Sequence, residues 1–151
     1  MILSRLIQKE TIMITVQNYW MGRDVEFKKD LTDEIKKNAD DLIVKVNQLL
    51  LRAKVSGIEC ECNPDTGTSV SSGWRPPAVN KAVPGAAIRS NHMTGKAIDL
   101  YDPEGVLDNW CMSHQGVMAE VGLWMEHPSA TKGWCHLQSV PPRSGNRVFY
   151  P

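Results

Sequence analysis

The sequence predicts an α+β domain: a small, mostly antiparallel sheet with flanking helices. Three observations carry that expectation. One long segment repeats its apolar residues at helical spacing. Several short segments have the length and composition of strands. The two kinds follow one another without the regular β-α-β alternation that a parallel sheet requires.

Tyr19 to Asp24 reads as an aromatic anchor ending in a turn. The long helix follows. Ile35, Ala39, Leu42, Val46, Leu49 and Ala53 recur three and four apart, which places them on one stripe, with Lys36, Lys37, Asp40 and Asp41 off it. Thr32 supplies a cap, Asp33 and Glu34 complement the helix dipole, and Ser56-Gly57 marks the stop. Ile58 to Cys62 is expected as a strand, Asn63 to Gly67 as a turn, and Val70 to Trp74 as a second strand. Pro76, Pro77 and Pro84 make Arg75 to Arg89 mostly loop, with room for one short helix. Ala97 to Tyr101 is expected as a strand, Asp102 to Gly105 as a turn, and Val106 to Met112 as a helix. A further helix ends at Gly122. Leu123 to Glu126 and Trp134 to Gln138 are expected as strands joined by a loop, and the tail from Pro141 as irregular. Residues 1–24 are taken as an N-terminal extension and anchor, and 25–151 as the domain.

The chain has 151 residues, 42% of them hydrophobic and 23% charged, an ordinary globular composition able to bury a core without disulfides. Its 17 basic and 17 acidic residues give zero formal net charge, which argues against a general nucleic-acid binder. No apolar run is long enough for membrane insertion. Met1 to Ile7 is apolar around Arg5 but lacks the long core and small-residue cleavage site of a secretory signal. Synthesis in the cytoplasm, with Cys60, Cys62, Cys111 and Cys135 as free thiols, is therefore expected. Met13 is a second candidate start, which makes Met1 to Ile12 a loose extension or a start-site artefact. Cys60 and Cys62 form a lone C-x-C pair, read as two half-buried strand residues rather than a metal site.

The chemistry concentrates in two stretches. Ser90 to Asp99 holds His92 and Asp99, with Gly95 allowing a turn between them. Strand alternation puts Ala97, Asp99 and Tyr101 on one face, and likewise Trp134, His136 and Gln138. If the two strands lie side by side, His92, Asp99 and His136 supply two nitrogens and one oxygen to a metal and leave a fourth tetrahedral position open, the catalytic arrangement for zinc. Cys135 points to the other face. Taken singly, a strand histidine is also an ordinary hydrogen-bonded core residue, and an aspartate after a turn an ordinary cap.

Ser90 to Asp99 spells Ser-x-His-x-x-Gly-x-Ala-x-Asp, and Trp134 to His136 spells Trp-x-His. Together with Ser72-Gly73-Trp74-Arg75 and Asn80, these residues resemble the zinc DD-carboxypeptidase family over roughly residues 70 to 140. That family includes phage L-alanyl-D-glutamate endolysins and shares its fold with lysostaphin-type peptidases and the hedgehog signalling domain. The ends of the chain look like the compact single-domain members carried by phages and prophages. The resemblance implies zinc on His92, Asp99 and His136. It implies Arg75 as the arginine that binds the substrate carbonyl or carboxylate and stabilises an oxyanion. It implies Ser90 as a substrate-contacting hydroxyl, and Asn80 as a polar side chain lining the cleft.

One departure stands out. Many members carry an acid three residues before the last histidine, as general base, and here that position is Gly133; some carry one two residues after, and here that is Gln138. Glu126 is the replacement expected, since it ends a strand before the hairpin to Trp134, but a one-residue slip in register would turn it to the far face. His127 is the second candidate. Two functional expectations follow. The first is a zinc peptidase hydrolysing amide bonds in bacterial peptidoglycan peptides, reaching the wall through a holin or as part of a virion. The second is a zinc-binding peptidoglycan-recognition or virion module with weak or lost catalysis. A structural domain without metal is the third reading.

Overall fold

The computed structural model describes residues 13–151. The segment Met1 to Ile12 lies outside the described residues. Two short helices open the described chain, α1 (Val16–Trp20) and α2 (Arg23–Glu26), followed by a 3-10 turn at Lys28–Asp30 and the long α3 (Asp33–Val55). Thr15 caps α1 in a reciprocal capping box with Asn18. Tyr19 and Trp20 of the expected anchor enter the core, and the Tyr19 hydroxyl donates to the Ala97 carbonyl at 2.9 Å.

In α3 the predicted cap is in place: the Thr32 hydroxyl accepts the Ile35 N–H at 3.2 Å. Of the predicted stripe, Ala39, Leu42, Val46, Leu49 and Ala53 are buried, joined by Ile43 and Leu50, and Ile35 packs against them half-buried. Ser56 is the C-cap, as expected.

Among the described residues, five strands form one sheet: β1 (Val70–Ser72), β2 (Ala97–Asp102), β3 (Trp124–Glu126), β4 (Gly133–Gln138) and β5 (Val148–Phe149), in the order β1-β2-β4-β3-β5. All neighbours are antiparallel except β3 and β5. The remaining helices are α4 (Pro77–Ala82), α5 (Val106–Ser113) and α6 (Gln115–Val121). The α+β expectation therefore holds. α6 packs against α3, and α5 against β2 and β4.

The β2–β4 register sorts side chains by face. Ile98 pairs with Leu137 and Leu100 with Cys135, all fully buried in the core with α3. On the opposite face Ala97 pairs with Gln138, Asp99 with His136, and Tyr101 with Trp134.

Two expectations fail. Ile58 to Cys62 forms no strand. Ile58 folds back on α3, its N–H donating to the Ala53 carbonyl, and the next loop closes on itself through Asn63 N–H to Thr68 carbonyl, so no ladder develops. Cys60 is half-buried against the core and Cys62 is exposed. Conversely, the tail contributes β5. Met125 N–H donates to the Arg147 carbonyl at 3.0 Å and His127 N–H to the Phe149 carbonyl at 2.7 Å. These are backbone bonds, indifferent to side-chain pattern, and two residues are too few to show a period.

Candidate metal centre

Three backbone devices deliver the centre. β2 and β4 set Asp99 directly opposite His136. The turn from Ser90 to Lys96 carries His92 to the same point: Met93 N–H donates to the Ser90 carbonyl, Lys96 N–H to the Asn91 carbonyl, and Gly95 adopts φ +77°. A Cβ at Gly95 would also meet the Ile35 carbonyl at 2.7 Å, so the turn seats on α3 only with glycine there. The third device is Ser72-Gly73-Trp74-Arg75. Gly73 passes so close to Tyr19 that a Cβ would lie 1.9 Å from its carbonyl oxygen. Trp74 fills the core, its indole N–H donating to the Met93 carbonyl at 3.0 Å.

His92, Asp99 and His136 are all buried, and one donor atom from each lies within 4.8 Å of the others. Asp99 is the hub. Its Oδ1 is 2.8 Å from His136 Nδ1 and 3.3 Å from His92 Nε2, and its Oδ2 accepts from Arg75 Nη2 at 3.2 Å. The second nitrogen of each imidazole is also engaged. His92 Nδ1 donates to the Gly73 carbonyl at 2.9 Å, which leaves Nε2 to face Asp99. His136 Nε2 lies 2.9 Å from Gln138 Oε1.

Burial alone would push the Asp99 carboxyl up, but the His92 imidazole beside it and the hydrogen bonds from both histidines outweigh this and hold it well below the usual carboxylate range. Burial would pull His136 down, and the Asp99 carboxylate outweighs it and raises His136 above its ordinary value. Nδ1 and Oδ1 face each other at 2.8 Å, so something electropositive sits between them. A proton meets that need, and so does a metal. Zinc–ligand bonds of about 2.0–2.2 Å put tetrahedral neighbours roughly 3.3 Å apart, the His92–Asp99 contact is 3.3 Å and the His136–Asp99 contact 2.8 Å, and imidazole with carboxylate suits zinc chemically. The residues present fit the ion.

The centre lies in a cleft of about 460 Å³, lined among others by Arg75, Ser90, Glu126, Trp134, Gln138 and Phe149. Arg75 is nearly buried, its Nε donating to the Ser72 hydroxyl at 2.9 Å. Glu126 comes to the centre: Met125 pairs with Leu137, so the next residue faces His136, and Glu126 Oε1 is 3.7 Å from His136 Nε2. The Ser90 hydroxyl lines the cleft and accepts the His92 N–H at 3.2 Å. Asn80 stands behind the wall and does not line it. It is buried, and its amide donates to the Ala87 carbonyl at 2.9 Å, bracing the loop that does form the wall. His127 is turned away, stacked on Tyr150 at 4.5 Å and bonded to Ser129. Of the tryptophans, Trp134 lines the cleft, while Trp124 lies under the Arg147 guanidinium at 4.3 Å.

Gly133, at the position of the missing acid, has φ +102°, a conformation that L side chains rarely adopt. An acidic residue there would be strained, so the backbone itself accounts for its absence. Sequence reasoning did not assign Ser72 or Phe149. Ser72, three residues before Arg75, carries a readable signal as a hydroxyl beside a guanidinium. Phe149, edge-on to His136 at 6.3 Å, carries none.

A His–Asp–His centre on an antiparallel sheet, with an arginine and a glutamate in the same cleft, defines a metallopeptidase type of site. The family model Peptidase M15 matches residues 33–128, and the chain belongs to that family. M15 peptidases are zinc-dependent, and membership supports a metallopeptidase. The match contains Arg75, Asn80, Ser90, His92, Asp99 and Glu126 and ends before His136. No curated protein and no solved structure matches the chain. Among the described residues, no helix is long and apolar enough to cross a membrane.

Proposed function

We propose that the protein is a zinc-dependent peptidase that hydrolyses amide bonds in bacterial peptidoglycan peptides, of the D-Ala-D-Ala carboxypeptidase or phage endolysin type. The observation that carries this reading is the convergence of His92 Nε2, Asp99 Oδ1 and His136 Nδ1 in a cleft that also holds Arg75 and Glu126. Zinc, when bound, supplies Lewis-acid polarisation of a carbonyl and lowers the pKa of water toward neutrality.

The chain's own residues do the rest. Glu126 takes the proton of the attacking water and returns it to the leaving amine, a transfer typically worth about a hundred- to ten-thousand-fold. The Arg75 guanidinium, fixed by Ser72 and Asp99, offers its remaining N–H groups to the oxyanion or to a terminal carboxylate. The Ser90 hydroxyl contacts the substrate at the cleft wall. The reading has the chain made in the cytoplasm and acting at the cell wall, delivered with a holin or in a virion.

The glycine at 133 favours a second reading, a zinc-binding recognition module with weak or lost catalysis. Metal analysis and digestion of purified peptidoglycan on wild type beside His136→Ala separate the two. One zinc per chain, lost with digestion in the variant, supports the peptidase. Zinc without digestion supports the module. No zinc, even after supplementation, removes both.

A further inference from the structure

We propose that Gln138 is the positioning residue that fixes the His136 tautomer, holding the proton on Nε2 so that Nδ1 presents its lone pair to the metal. This inference rests on the zinc reading above and concerns a residue without an assigned role in it.

The geometry is a relay of three contacts. The Gln138 amide nitrogen donates to the Val140 carbonyl at 2.9 Å. That carbonyl can only accept, so the amide cannot turn over without setting two carbonyl oxygens against each other. Gln138 Oε1 is thereby aimed at His136 Nε2, 2.9 Å away. An oxygen that can only accept requires hydrogen on that nitrogen, and the neutral ring then has its lone pair on Nδ1. Nδ1 is the atom 2.8 Å from Asp99 Oδ1, inside the donor triangle with His92 Nε2.

Gln138 is buried, at 4% exposure, so its side chain is held where it is. Glu126 is the other acceptor near Nε2, at 3.7 Å. With Gln138 in hydrogen-bond range and Glu126 beyond it, the amide oxygen accepts the ring N–H and the Glu126 carboxylate stays available to the cleft. A carboxylate at 138 would also hold the tautomer but would add a second negative charge beside Glu126.

The test uses full-length Gln138→Met, which keeps the volume and removes the acceptor, and Gln138→Glu, which keeps the acceptor for Nε2 and, protonated on its second oxygen, a donor for the Val140 carbonyl. Zinc affinity is measured by competition with a chromophoric chelator. The His136 tautomer is read from ¹⁵N shifts of histidine-labelled, zinc-loaded protein. Wild type should show metal-bound Nδ1 and protonated Nε2. Gln138→Met should lose about ten- to a hundredfold in zinc affinity, and Gln138→Glu should stay within a few-fold of wild type. Wild-type affinity in Gln138→Met, or equal losses in both variants with the fold intact by circular dichroism, overturns the proposal and leaves the zinc site standing. A wild type that binds no zinc overturns the site and the proposal together.

Discussion

Asp99 and His136 face each other across adjacent antiparallel strands, with His136 Nδ1 2.8 Å from Asp99 Oδ1, a contact that a proton or a metal ion can bridge. The strand register is thus also the specification of the centre. The Ile98–Leu137 and Leu100–Cys135 pairs that flank Asp99–His136 are locked in the core, so a slip of one residue would turn the acid and the imidazole into the apolar core and the core residues onto the cleft face.

That relationship sets a pH dependence for metal binding. His136 holds its proton more tightly than an ordinary imidazole, and a metal on Nδ1 must displace it. Below the raised His136 value, apparent zinc affinity should climb about tenfold per pH unit for each proton released, and it should level off only above that value. The Asp99 carboxyl, depressed by its histidine neighbours, stays ionised and releases no proton over that range. Competition titrations with a chelator from about pH 5.5 to 7.5 check this. Affinity that does not change with pH across the range would take His136 out of the ligand set.

Glu126 as proton shuttle makes a separable prediction. Glu126→Gln keeps the shape and removes the base. Hydrolysis of peptidoglycan stem peptides should fall about a hundred- to ten-thousand-fold, while zinc affinity stays within a few-fold, because Oε1 is not in the donor triangle. Amine release and chelator competition on the same preparations measure both. A variant as fast as wild type would return the base to an unassigned group.

Much of this centre was legible because strand alternation is rigid. Once two segments read as strands, Asp99 and His136 had to share a face, and the hairpin register then delivered Glu126. Helix α3 was legible for the same reason, a single apolar period sustained over many turns. The rest lacked such redundancy. Asn80 and the loop it braces were not separable in sequence, since a polar residue beside a cleft and one behind its wall look alike. β5 is too short to show a period, and its place in the sheet is set by backbone bonds to β3, so Phe149 reached the centre unannounced. The part played by Gln138 depends on which way an amide is turned, and that is decided by the Val140 carbonyl, a group every residue possesses.

The opposite face of β4 carries a titration of its own. Asp108 on α5 is buried, at 1% exposure; its Oδ2 accepts from the Thr131 hydroxyl at 3.1 Å and its Oδ1 has no hydrogen-bond partner among the described residues. Burial pushes its carboxyl up from 3.8 to about 6, against the pull of hydrogen bonds from Cys135 and Thr131 and with a further push from Asp102. An acid whose folded value is raised holds its proton more tightly in the folded chain. Its contribution to stability is therefore fully present below about pH 4 and is lost as pH rises to about 6, after which it is flat. Asp108→Asn removes the titration. Wild type should lose about 2 kcal/mol relative to the variant between about pH 4 and 7, each pKa unit being worth about 1.36 kcal/mol before solvent screening takes its share. Urea unfolding of both proteins across that range, in the presence of a chelator, measures the difference. A difference that does not change with pH would mean that Asp108 enters the folded chain with its ordinary carboxylate value.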